Sequence, residues 1–511
     1  METTPPVRLS EPPAERLALT ATDALTLTGT SNNARFGAAA STAGDVNGDG
    51  FADLLIGVPG ESAVQVYYGS ATGISSTPDT TLSGAGNFGR AVSIAGDINN
   101  DGFADVIIGT PGQNTAALFR GAATGISTTP LELSQPGGFG ASVATAGDVD
   151  GDGFDDVLVG APNTDLVYLF SGASLAADQT DPTVTLSGSG NFGTALDTAG
   201  DVNGDGFADI VVGAPGDNAS YVYLGATAGL STTASFTVTL GGGAFGTSVG
   251  TAGDMNGDGF SEIVVGAPIS DTIFIYPGSS LGLSSTLVLT ATQPGAFGQA
   301  VGTAGDVNGD GLSDILIGAP DFAAAAEDIG GAFLYLGTLD ILARDPEETF
   351  VISGTGSAFG SVVNTAGDLN GDGFADLVIG APTFANVGAN RGLARLYYGS
   401  AAEVSERPDW SDVRLGQSLA RFYGRMVATA GDLNGDGYDE VAISTARSDQ
   451  TNASSVRVFM ALILDYKTIF LRLWPLRQEA PLAAIWDSGR YQRRRLRRFY
   501  RGRAHLQRSW C

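Results

Sequence analysis

The feature that most constrains this chain is a nine-residue stretch that recurs eight times along its 511 residues. The first copy, DVNGDGFAD at residues 45–53, has oxygen-bearing side chains at positions 1, 3, 5 and 9 and glycine at position 6. The copies begin at residues 45, 97, 148, 201, 254, 306, 368 and 432. The first five intervals are 51 to 53 residues long, and the last two are 62 and 64. Such a period indicates a repeat architecture built from one structural unit.

Each repeat contains four short runs typical of β-strands. An aromatic residue followed by glycine, as in Phe36-Gly37, stands nine residues before each copy, and a small-residue run such as GAAASTAG leads into it. Runs such as LLIGVP, VQVYYG and TTLSG follow, bounded by Gly, Pro and Ser. Four strands in about 50 residues predict an all-β fold, a β-propeller of four-stranded antiparallel blades. A β-solenoid is the rival architecture, but its rungs are much shorter. We expect the aromatic residue to pack between neighbouring blades.

The number of blades follows from how the ring closes. The eighth copy has a recognisable second strand (VAIS) and third strand (VRVFM) but no fourth. The segment LTLTG, residues 25–29, resembles an unpartnered fourth strand ahead of Phe36. Pairing it with the last blade would remove an exposed edge. We therefore predict eight blades closed by an N-terminal strand; the alternative is seven blades with one copy irregular or packed outside.

The recurring stretch has the layout of a calcium-binding loop. Alternate residues of a tight loop can point oxygens at one centre, and Ca²⁺ takes six to eight oxygen ligands. An ordinary Asx turn needs one Asx and one glycine, not four oxygens in register. The predicted side-chain ligands are Asp45, Asn47, Asp49, Asp53; Asp97, Asn99, Asp101, Asp105; Asp148, Asp150, Asp152, Asp156; Asp201, Asn203, Asp205, Asp209; Asp254, Asn256, Asp258, Glu262; Asp306, Asn308, Asp310, Asp314; Asp368, Asn370, Asp372, Asp376; and Asp432, Asn434, Asp436, Glu440. The predicted carbonyl ligands at position 7 belong to Phe51, Phe103, Phe154, Phe207, Phe260, Leu312, Phe374 and Tyr438. Up to eight Ca²⁺ ions are expected, with altered affinity where position 9 is Glu.

These linked motifs resemble the FG-GAP repeat of integrin α-subunit N-terminal propellers and their bacterial relatives. The resemblance covers about residues 25 to 459 and rests on the aromatic-Gly pair, the acidic loop and the Gly-x-Pro strand end at fixed offsets. It implies calcium bound between the first and second strands of a blade, and a role in adhesion or ligand binding. This sequence departs from the family in one respect: integrin propellers have seven blades, whereas eight copies occur here.

The acidic loops account for much of the negative charge of the chain, and their expected calcium affinity predicts where the protein is located. The formal net charge is −29, and the ligand positions hold 25 of the 55 acidic residues. This charge argues against a nucleic-acid surface on the propeller. Calcium sites of extracellular modules bind at roughly 0.1–1 mM, so they fill outside a cell and stay mostly empty in a cytosol. We therefore expect an extracellular, cell-surface or periplasmic location, although residues 1–20 show no signal-peptide layout and no apolar run is long enough for a transmembrane helix.

The two ends of the chain differ from the repeats. We expect residues 1–22 to be disordered and residues 23–464 to form the propeller, with repeats beginning near residues 36, 88, 139, 192, 245, 297, 359 and 423. Residues 465–511 hold 12 of the 26 basic residues and only three acids. Three interpretations of this tail are a basic arm for nucleic acid or anionic lipid, a disordered tail, or translation after a shifted reading frame. The abrupt change within an unfinished blade favours the third.

The sequence predicts a binding protein, not an enzyme. The sole histidine, His505, and the sole cysteine, Cys511, both lie in the tail, which excludes a Ser-His-Asp arrangement within the propeller. Between the second and third strands, repeats six and seven carry loops seven residues longer than those of repeats one to five. These loops predict a protein or glycan ligand on the face opposite calcium, or reflect neutral loop growth. The alternative functions are a carbohydrate-binding or hydrolase-associated propeller and a structural scaffold cut from a larger surface protein. The oligomeric state is not indicated.

Overall fold

In the computed structural model, each repeat forms one four-stranded antiparallel sheet, and the eight sheets make an eight-bladed β-propeller. The predicted fold class and the predicted blade number are confirmed. The structure describes residues 24–31, 34–284, 289–323, 330–339, 346–352, 357–385, 392–401, 404, 408, 410–413, 422–445 and 454–460. The N-terminal segment 1–22 and the basic tail 465–511 lie outside these residues, so the predictions about them stay predictions.

Within blades 1 to 7 the strands are ordered as in the chain, from the centre of the ring outward. The first strands are Ala40–Gly44, Ala91–Gly96, Ser142–Gly147, Ala195–Gly200, Ser248–Gly253, Ala300–Gly305, Val362–Gly367 and, in blade 8, Tyr423–Gly431. The second strands are Asp53–Val58, Asp105–Thr110, Asp156–Ala161, Asp209–Ala214, Glu262–Ala267, Asp314–Ala319, Asp376–Ala381 and Glu440–Thr445. The third strands are Ala63–Tyr67, Thr115–Phe119, Leu166–Phe170, Ala219–Tyr223, Thr272–Tyr276, Gly331–Tyr335, Leu393–Tyr397 and Ser455–Phe459. The fourth strands of blades 1 to 7 are Thr80–Ser83, Leu131–Ser134, Val184–Ser187, Phe236–Thr239, Leu289–Thr292, Glu348–Val351 and Trp410–Val413. One short helix, Gly172–Ala176, follows the third strand of blade 3.

The outer strand of blade 8 comes from the other end of the chain. Ala24–Thr28 pairs antiparallel with Ser455–Phe459, with Leu25 opposite Val458 and Leu27 opposite Val456. The first strand of blade 8 also lies against the first strand of blade 1, so the ring is continuous. The predicted closure by an N-terminal strand is confirmed, with the strand beginning one residue earlier than expected.

The core consists of layers between neighbouring blades. Every residue of the second strands is buried, because each blade is covered on both faces. The aromatic residue of each aromatic-Gly pair lies in these layers. Phe88, for example, packs with Leu55 and Val66 of blade 1 and with Ile108 of blade 2. The expectation that this residue belongs to the core is confirmed, and it leaves the acidic loops as the most regular polar feature.

A β-bulge ends each first strand and directs the chain into the acidic loop. In blade 1 the pairing register shifts between Thr42 and Gly44. Gly44 has a φ of 70°, and a Cβ added to it would stand 2.7 Å from Cβ of Ala104 in the next blade. Glycine is needed here both for the left-handed backbone and for the close approach of blade 2.

The two faces of the ring are built from different connections. The acidic loops join first to second strands and share one face with the connections between third and fourth strands. The opposite face, which we term the turn face, consists of the turns between second and third strands and the connections from one blade to the next. Most of the two enlarged turns, residues 324–329 and 386–391, lies outside the described residues. No helix in the described part of the chain is long and apolar enough to cross a membrane.

Candidate metal centres

Eight acidic loops lie on one face of the ring, and all forty predicted ligand residues are among the described residues. Each loop is numbered from position 1 to position 9. The loops comprise residues 45–53, 97–105, 148–156, 201–209, 254–262, 306–314, 368–376 and 432–440.

The aspartate at position 1 organises the backbone of its own loop. In the first loop, Asp45 Oδ1 accepts hydrogen bonds from the backbone N–H groups of Gly48 and Asp49, at 2.6 and 3.1 Å. Its Oδ2 accepts a hydrogen bond from Gly50 N at 2.8 Å. The positive φ angles of Gly48 (72°) and Gly50 (90°) turn these N–H groups inward. The loop is therefore wound around this carboxylate.

The side chains at positions 3 and 5 accept further hydrogen bonds from the backbone of the loop. Asn47 Oδ1 accepts a hydrogen bond from Asp49 N at 2.9 Å, and Asp49 Oδ1 accepts one from Phe51 N at 3.1 Å. The Asn47 amide also donates to Asp49 Oδ2 at 3.1 Å. These bonds hold both side chains close to the loop, with Asp49 exposed to solvent.

The acid at position 9 is buried in every loop. Asp53 is 0% exposed, and so are its seven counterparts, Asp105, Asp156, Asp209, Glu262, Asp314, Asp376 and Glu440. Asp53 Oδ2 accepts a hydrogen bond from Val46 N at 2.9 Å, and its Oδ1 accepts one from Gly69 N, at the end of the third strand, at 2.8 Å. Because each carboxylate oxygen has two lone pairs, both oxygens keep capacity for a further partner.

Burial makes ionisation of this acid unfavourable in the calcium-free loop. Desolvation raises the pKa of Asp53 to about 7, opposed by its two backbone hydrogen bonds and reinforced by the negative charges of Asp49 and Asp45. The pKa of Asp376 and that of Glu262 are raised to about 8 by the same cause. A buried acid beside two further acids is the environment that a divalent cation would compensate.

The third loop brings its carboxylates closest together. Its position 3 is Asp150, whereas the other loops have asparagine there. Oxygens of Asp148, Asp150 and Asp156 all lie within 4.8 Å of one another. Burial raises the pKa of Asp150, with a further contribution from the charge of Asp152. Three hard oxygen donors at this spacing fit a calcium ion, which prefers such ligands.

The two loops with glutamate at position 9 are arranged differently. Glu262 Oε2 accepts a hydrogen bond from Met255 N at 2.7 Å, as the aspartates do in equivalent positions. Its Oε1 accepts a hydrogen bond from the amide of Asn256 at 3.1 Å. In the eighth loop Glu440 contacts the amide of Asn434 in the same way, at 2.9 Å. The extra methylene carries the carboxylate towards position 3, which gives a physical reason for the altered affinity predicted at these loops.

Neighbouring loops are hydrogen-bonded to each other around the whole ring. The backbone N–H at position 8 donates to the carbonyl at position 1 of the preceding loop in all eight cases, at 2.9 to 3.5 Å. Ala104 N to Asp45 O is one example, and Ala52 N to Asp432 O closes the circle between blades 8 and 1. The position of each loop is therefore tied to that of the next.

Side chains reinforce this contact between loops. A Cβ added to Gly48, at position 4, would stand 2.4 Å from the ring of Phe103, at position 7 of the next loop. At position 8, Asp155 Oδ2 accepts a hydrogen bond from Asp97 N at 2.9 Å, and Asp439 Oδ2 accepts one from Asp368 N at 3.1 Å. The remaining loops have alanine or serine at position 8.

Comparison with known proteins identifies the repeat. The pattern of the FG-GAP-like repeat family matches residues 45–108, 97–159, 148–212, 201–265 and 254–317, which together make up more than half of the chain. The related FG-GAP repeat pattern matches residues 359–394 and 425–459. The chain belongs to the FG-GAP repeat family. The resemblance stated from the sequence is thereby confirmed, and the FG-GAP repeats here form an integrin-like propeller.

Individual relatives of this FG-GAP protein are integrin α subunits. Integrin alpha-8 of Gallus gallus is 32% identical over 208 residues, which cover 38% of this chain and 19% of the relative. Integrin alpha-4 of Xenopus laevis is 29% identical over 221 residues, covering 42% of this chain and 20% of the relative. Integrin alpha-5 of Xenopus laevis is 32% identical over 219 residues, covering 40% and 20%. The matched segments thus span about a fifth of the length of these curated relatives.

The sequence predicted that the side chains within each FG-GAP loop lie together, but it did not predict the hydrogen bonds that connect the loops to each other and to the third strands. The N–H donor of Gly69 recurs at the end of the third strand in blades 1 to 7, 16 residues after position 9 in blade 1. Gly69 was recognisable in the sequence as a glycine that ends a strand, but nothing in the sequence predicted its hydrogen bond to the buried acid. Asp155 and Asp439 were also missed, because a single acid beside a ligand position looks like ordinary variation.

Proposed function

We propose that this chain is a calcium-binding FG-GAP propeller that acts as a non-catalytic adhesion or ligand-binding module outside the cytosol. The observation that carries the proposal is the fully buried acid at position 9 of all eight loops. In loops 1, 2 and 4 to 7 the negative charges of the acids at positions 1 and 5 help to raise the pKa of this buried acid. A loop of this kind is costly to keep without a cation, since a buried charge needs a compensating partner.

Different groups of each loop would have different roles in binding the ion. The oxygens at positions 1, 3, 5 and 9 and the carbonyl at position 7 would hold the ion. The backbone bonds to position 1 keep the loop wound before the ion arrives, which lowers the entropy cost of binding. A bound Ca²⁺ would supply positive charge among three acids and cross-link the two ends of the loop. Eight ions would change the formal charge from −29 to −13.

The proposed location follows from calcium availability. Sites of this kind in extracellular modules bind at roughly 0.1–1 mM. Such sites are filled outside cells and mostly empty in the cytosol, so a protein stabilised by them belongs on a cell surface, in the extracellular space or in a periplasm. The integrin α relatives support an extracellular role of the same general kind.

The first experiment compares thermal unfolding of the full chain with and without calcium. At free calcium ten times the dissociation constant, each site contributes about 1.4 kcal/mol, or about 11 kcal/mol for eight independent sites. We expect the melting temperature to rise by roughly 10 to 20 °C, and isothermal titration calorimetry to count about eight ions.

A matched pair of variants tests whether the loops are responsible. Asp205→Asn changes position 5 of the fourth loop and should reduce the ion count by one. Asp178→Asn removes an acid that pairs with Arg120, at 2.8 Å, outside the loops, and should leave the count unchanged. A melting temperature that does not respond to calcium would reject the metal-binding proposal.

The proposed ligand is a protein bound at the turn face. The aromatic residues of the aromatic-Gly pairs, such as Phe139 and Phe192, are fully buried between blades and present no surface to a sugar on the turn face, which makes a glycan ligand there less favoured. The enlarged turns of repeats six and seven, which follow Ala319 and Ala381 in the sequence, belong to the connections that make up this face. Long loops on a rigid scaffold commonly carry recognition.

Loop replacement tests the ligand proposal separately from calcium. Residues 320–330 and 382–392 are each replaced by the short turn of blade 5, residues 268–271. We expect the calcium-dependent rise in melting temperature to be retained, while binding to secreted or cell-surface proteins, measured by surface plasmon resonance, is lost. Unchanged binding of every partner would exclude these turns as the recognition site.

A further inference from the structure

Asparagine followed directly by glycine occurs six times in the chain, and every occurrence lies at positions 3 and 4 of an acidic loop. The pairs are Asn47-Gly48, Asn203-Gly204, Asn256-Gly257, Asn308-Gly309, Asn370-Gly371 and Asn434-Gly435. In the structure each of these glycines is exposed and each of these asparagines is half-buried. The asparagine that would bind calcium is therefore followed by the residue type that leaves its side chain most open to attack from the backbone.

An Asn-Gly pair can lose the asparagine side-chain amide without a catalyst. The backbone nitrogen of the glycine attacks Cγ of the asparagine and gives up its proton, and the side-chain nitrogen leaves as ammonia. The cyclic succinimide that results takes up a water molecule and opens to aspartate or to isoaspartate. Glycine favours the attack because it has no Cβ to hinder the approach of its nitrogen. Water is the only co-reactant, and nothing is oxidised or reduced.

In each wound loop the attacking nitrogen is already engaged. Gly48 N–H donates a hydrogen bond to Asp45 Oδ1 at 2.6 Å, and the equivalent bond has the same length at the glycines of the other five pairs. A short hydrogen bond to a carboxylate stabilises the proton on the nitrogen. Because the attack requires this proton to leave, the bond to position 1 must break before the ring can close.

A separate bond holds the asparagine side chain. Asn47 Oδ1 accepts a hydrogen bond from Asp49 N at 2.9 Å, and the equivalent bonds in the other five loops are 2.8 to 3.0 Å long. The attacking nitrogen and the attacked side chain are thus fixed by different partners, whereas ring closure needs them in one reactive orientation. The wound loop is therefore a protected state, and the reaction needs local opening of the loop.

We propose that the six Asn-Gly pairs are deamidation sites that react only when their loop opens, so that bound calcium controls the rate. The calcium control rests on the proposed calcium binding, whereas the protection by the aspartate at position 1 rests on the hydrogen bonds described above. A bound ion favours the closed loop by mass action. At free calcium ten times the dissociation constant, the open fraction of a loop should fall about tenfold.

The two products would change the loop in different ways. Aspartate at position 3 reproduces the sequence of the third loop, where Asp150 occupies this position. Isoaspartate carries the backbone through the side chain and lengthens it by one methylene, which moves positions 5, 7 and 9 out of register with position 1. Prolonged loss of calcium would therefore destroy sites irreversibly. Six conversions would change the formal charge from −29 to −35.

Peptide mass spectrometry of the full chain, incubated in mildly alkaline buffer, tests the calcium control. Replacement of the amide NH₂ by a hydroxyl raises the peptide mass, whereas isomerisation of the Asp-Gly pairs at positions 5 and 6 does not. We expect mass gain in the six loops in chelator, and about tenfold slower gain at free calcium ten times the dissociation constant. The second loop, with Asn99-Asn100 at these positions, is the internal control and should react far more slowly. A synthetic peptide of residues 304–313 gives the rate of an unprotected pair.

A variant of position 1 tests the protection without calcium. Asp306→Ala removes the acceptor of the Gly309 N–H in the sixth loop. In chelator, Asn308 should then deamidate about tenfold faster, because a hydrogen bond to a charged group no longer opposes the attack. Asn47 and Asn203 lie in loops that do not adjoin the sixth and should react at unchanged rates. Asp306→Asn keeps an acceptor oxygen without the charge and should give a smaller increase.

Three outcomes would overturn the proposal. The first is a full chain that gains no mass in chelator while the synthetic peptide reacts. The second is an Asn308 that reacts no faster in Asp306→Ala than in the unmodified chain. The third is a rate that calcium does not lower although calorimetry counts bound ions. If calorimetry finds no bound calcium, the proposed function fails, and the Asp306→Ala comparison in chelator still decides whether position 1 protects the pair.

Discussion

The acid at position 9 of each loop links the chemistry of that loop to the stability of the whole protein. Its carboxylate is removed from water while two backbone N–H groups, those of Val46 and Gly69 in the first loop, bind its oxygens. The N–H groups favour the charged form, but desolvation outweighs them, and the pKa of Asp53 is raised to about 7. Proton and metal therefore compete for the same buried oxygens.

This competition predicts an opposite pH dependence with and without calcium. A folded-state pKa of about 7, above the ordinary value of 3.8, means that the calcium-free folded state holds more protons than the unfolded chain. Stability of the calcium-free protein should therefore fall as the pH rises from about 4 to about 8, whereas the stabilisation by calcium should increase. Thermal melts at about pH 5 and about pH 8, with and without calcium, measure both effects.

High salt provides the control for this prediction. Repulsion among surface acids also grows with pH, but salt screens it and does not change the burial of position 9. If the calcium-free melting temperature were equally high at both pH values in high salt, the raised pKa would not influence stability.

At the scale of the element, the N-terminal strand Ala24–Thr28 is the structural closure of the ring. It supplies the fourth strand of blade 8, and its Leu27 is fully buried in the layer between blades 8 and 1. Without it, the strand Ser455–Phe459 would present an unpaired edge. Exposed edges of this kind pair with other chains.

Removal of residues 1–29 should destabilise the protein and promote aggregation. The lost burial of Leu27 alone corresponds to about 2 to 5 kcal/mol by analogy with core truncations. The measurements are the melting temperature and the elution profile on size exclusion. A synthetic peptide of residues 22–31 should restore both, whereas the same peptide carrying Leu27→Asp should not. Identical melting temperatures for the truncated and full chains would show that the strand is dispensable.

The blades were predictable from the sequence because their determinants are local and repeated. The aromatic-Gly pair, the loop and the Gly-x-Pro strand end each leave a side-chain signature, and the closing strand was found because one strand was missing at one end and surplus at the other. The hydrogen bonds between loops were not predictable. Backbone groups such as Ala104 N and Asp45 O leave no signature in the sequence, and their meeting depends on the spacing of adjacent blades.

At the scale of the whole molecule, the loops form a closed circle of hydrogen bonds. The backbone N–H at position 8 of each loop donates to the carbonyl at position 1 of the preceding loop, and in seven of the eight cases the side chain at position 7 packs on the glycine at position 4 of that loop. A loop that is ordered by an ion should therefore help to order its two neighbours.

Double variants test this coupling between loops. Asp205→Asn and Asp258→Asn affect the adjacent loops 4 and 5, while Asp205→Asn and Asp436→Asn affect loops 4 and 8, on opposite sides of the ring. We expect the losses of calcium-induced stability to add within about 0.5 kcal/mol for the distant pair and to deviate from additivity for the adjacent pair. Denaturant unfolding at fixed calcium measures them. Additive losses in both pairs would mean that the loops act independently.

The closure of the ring by the two ends of the chain has a consequence for synthesis on the ribosome. Strand Ala24–Thr28 emerges about 430 residues before its partner Ser455–Phe459. At about 5 to 20 residues per second, the early strand waits roughly 20 to 90 seconds for its partner. Blades 1 to 7 can each form as soon as their own residues have emerged, so folding can follow translation until the final step. Every nascent chain therefore passes through an open ring with two unprotected edges, a state on which chaperones and proteases can act.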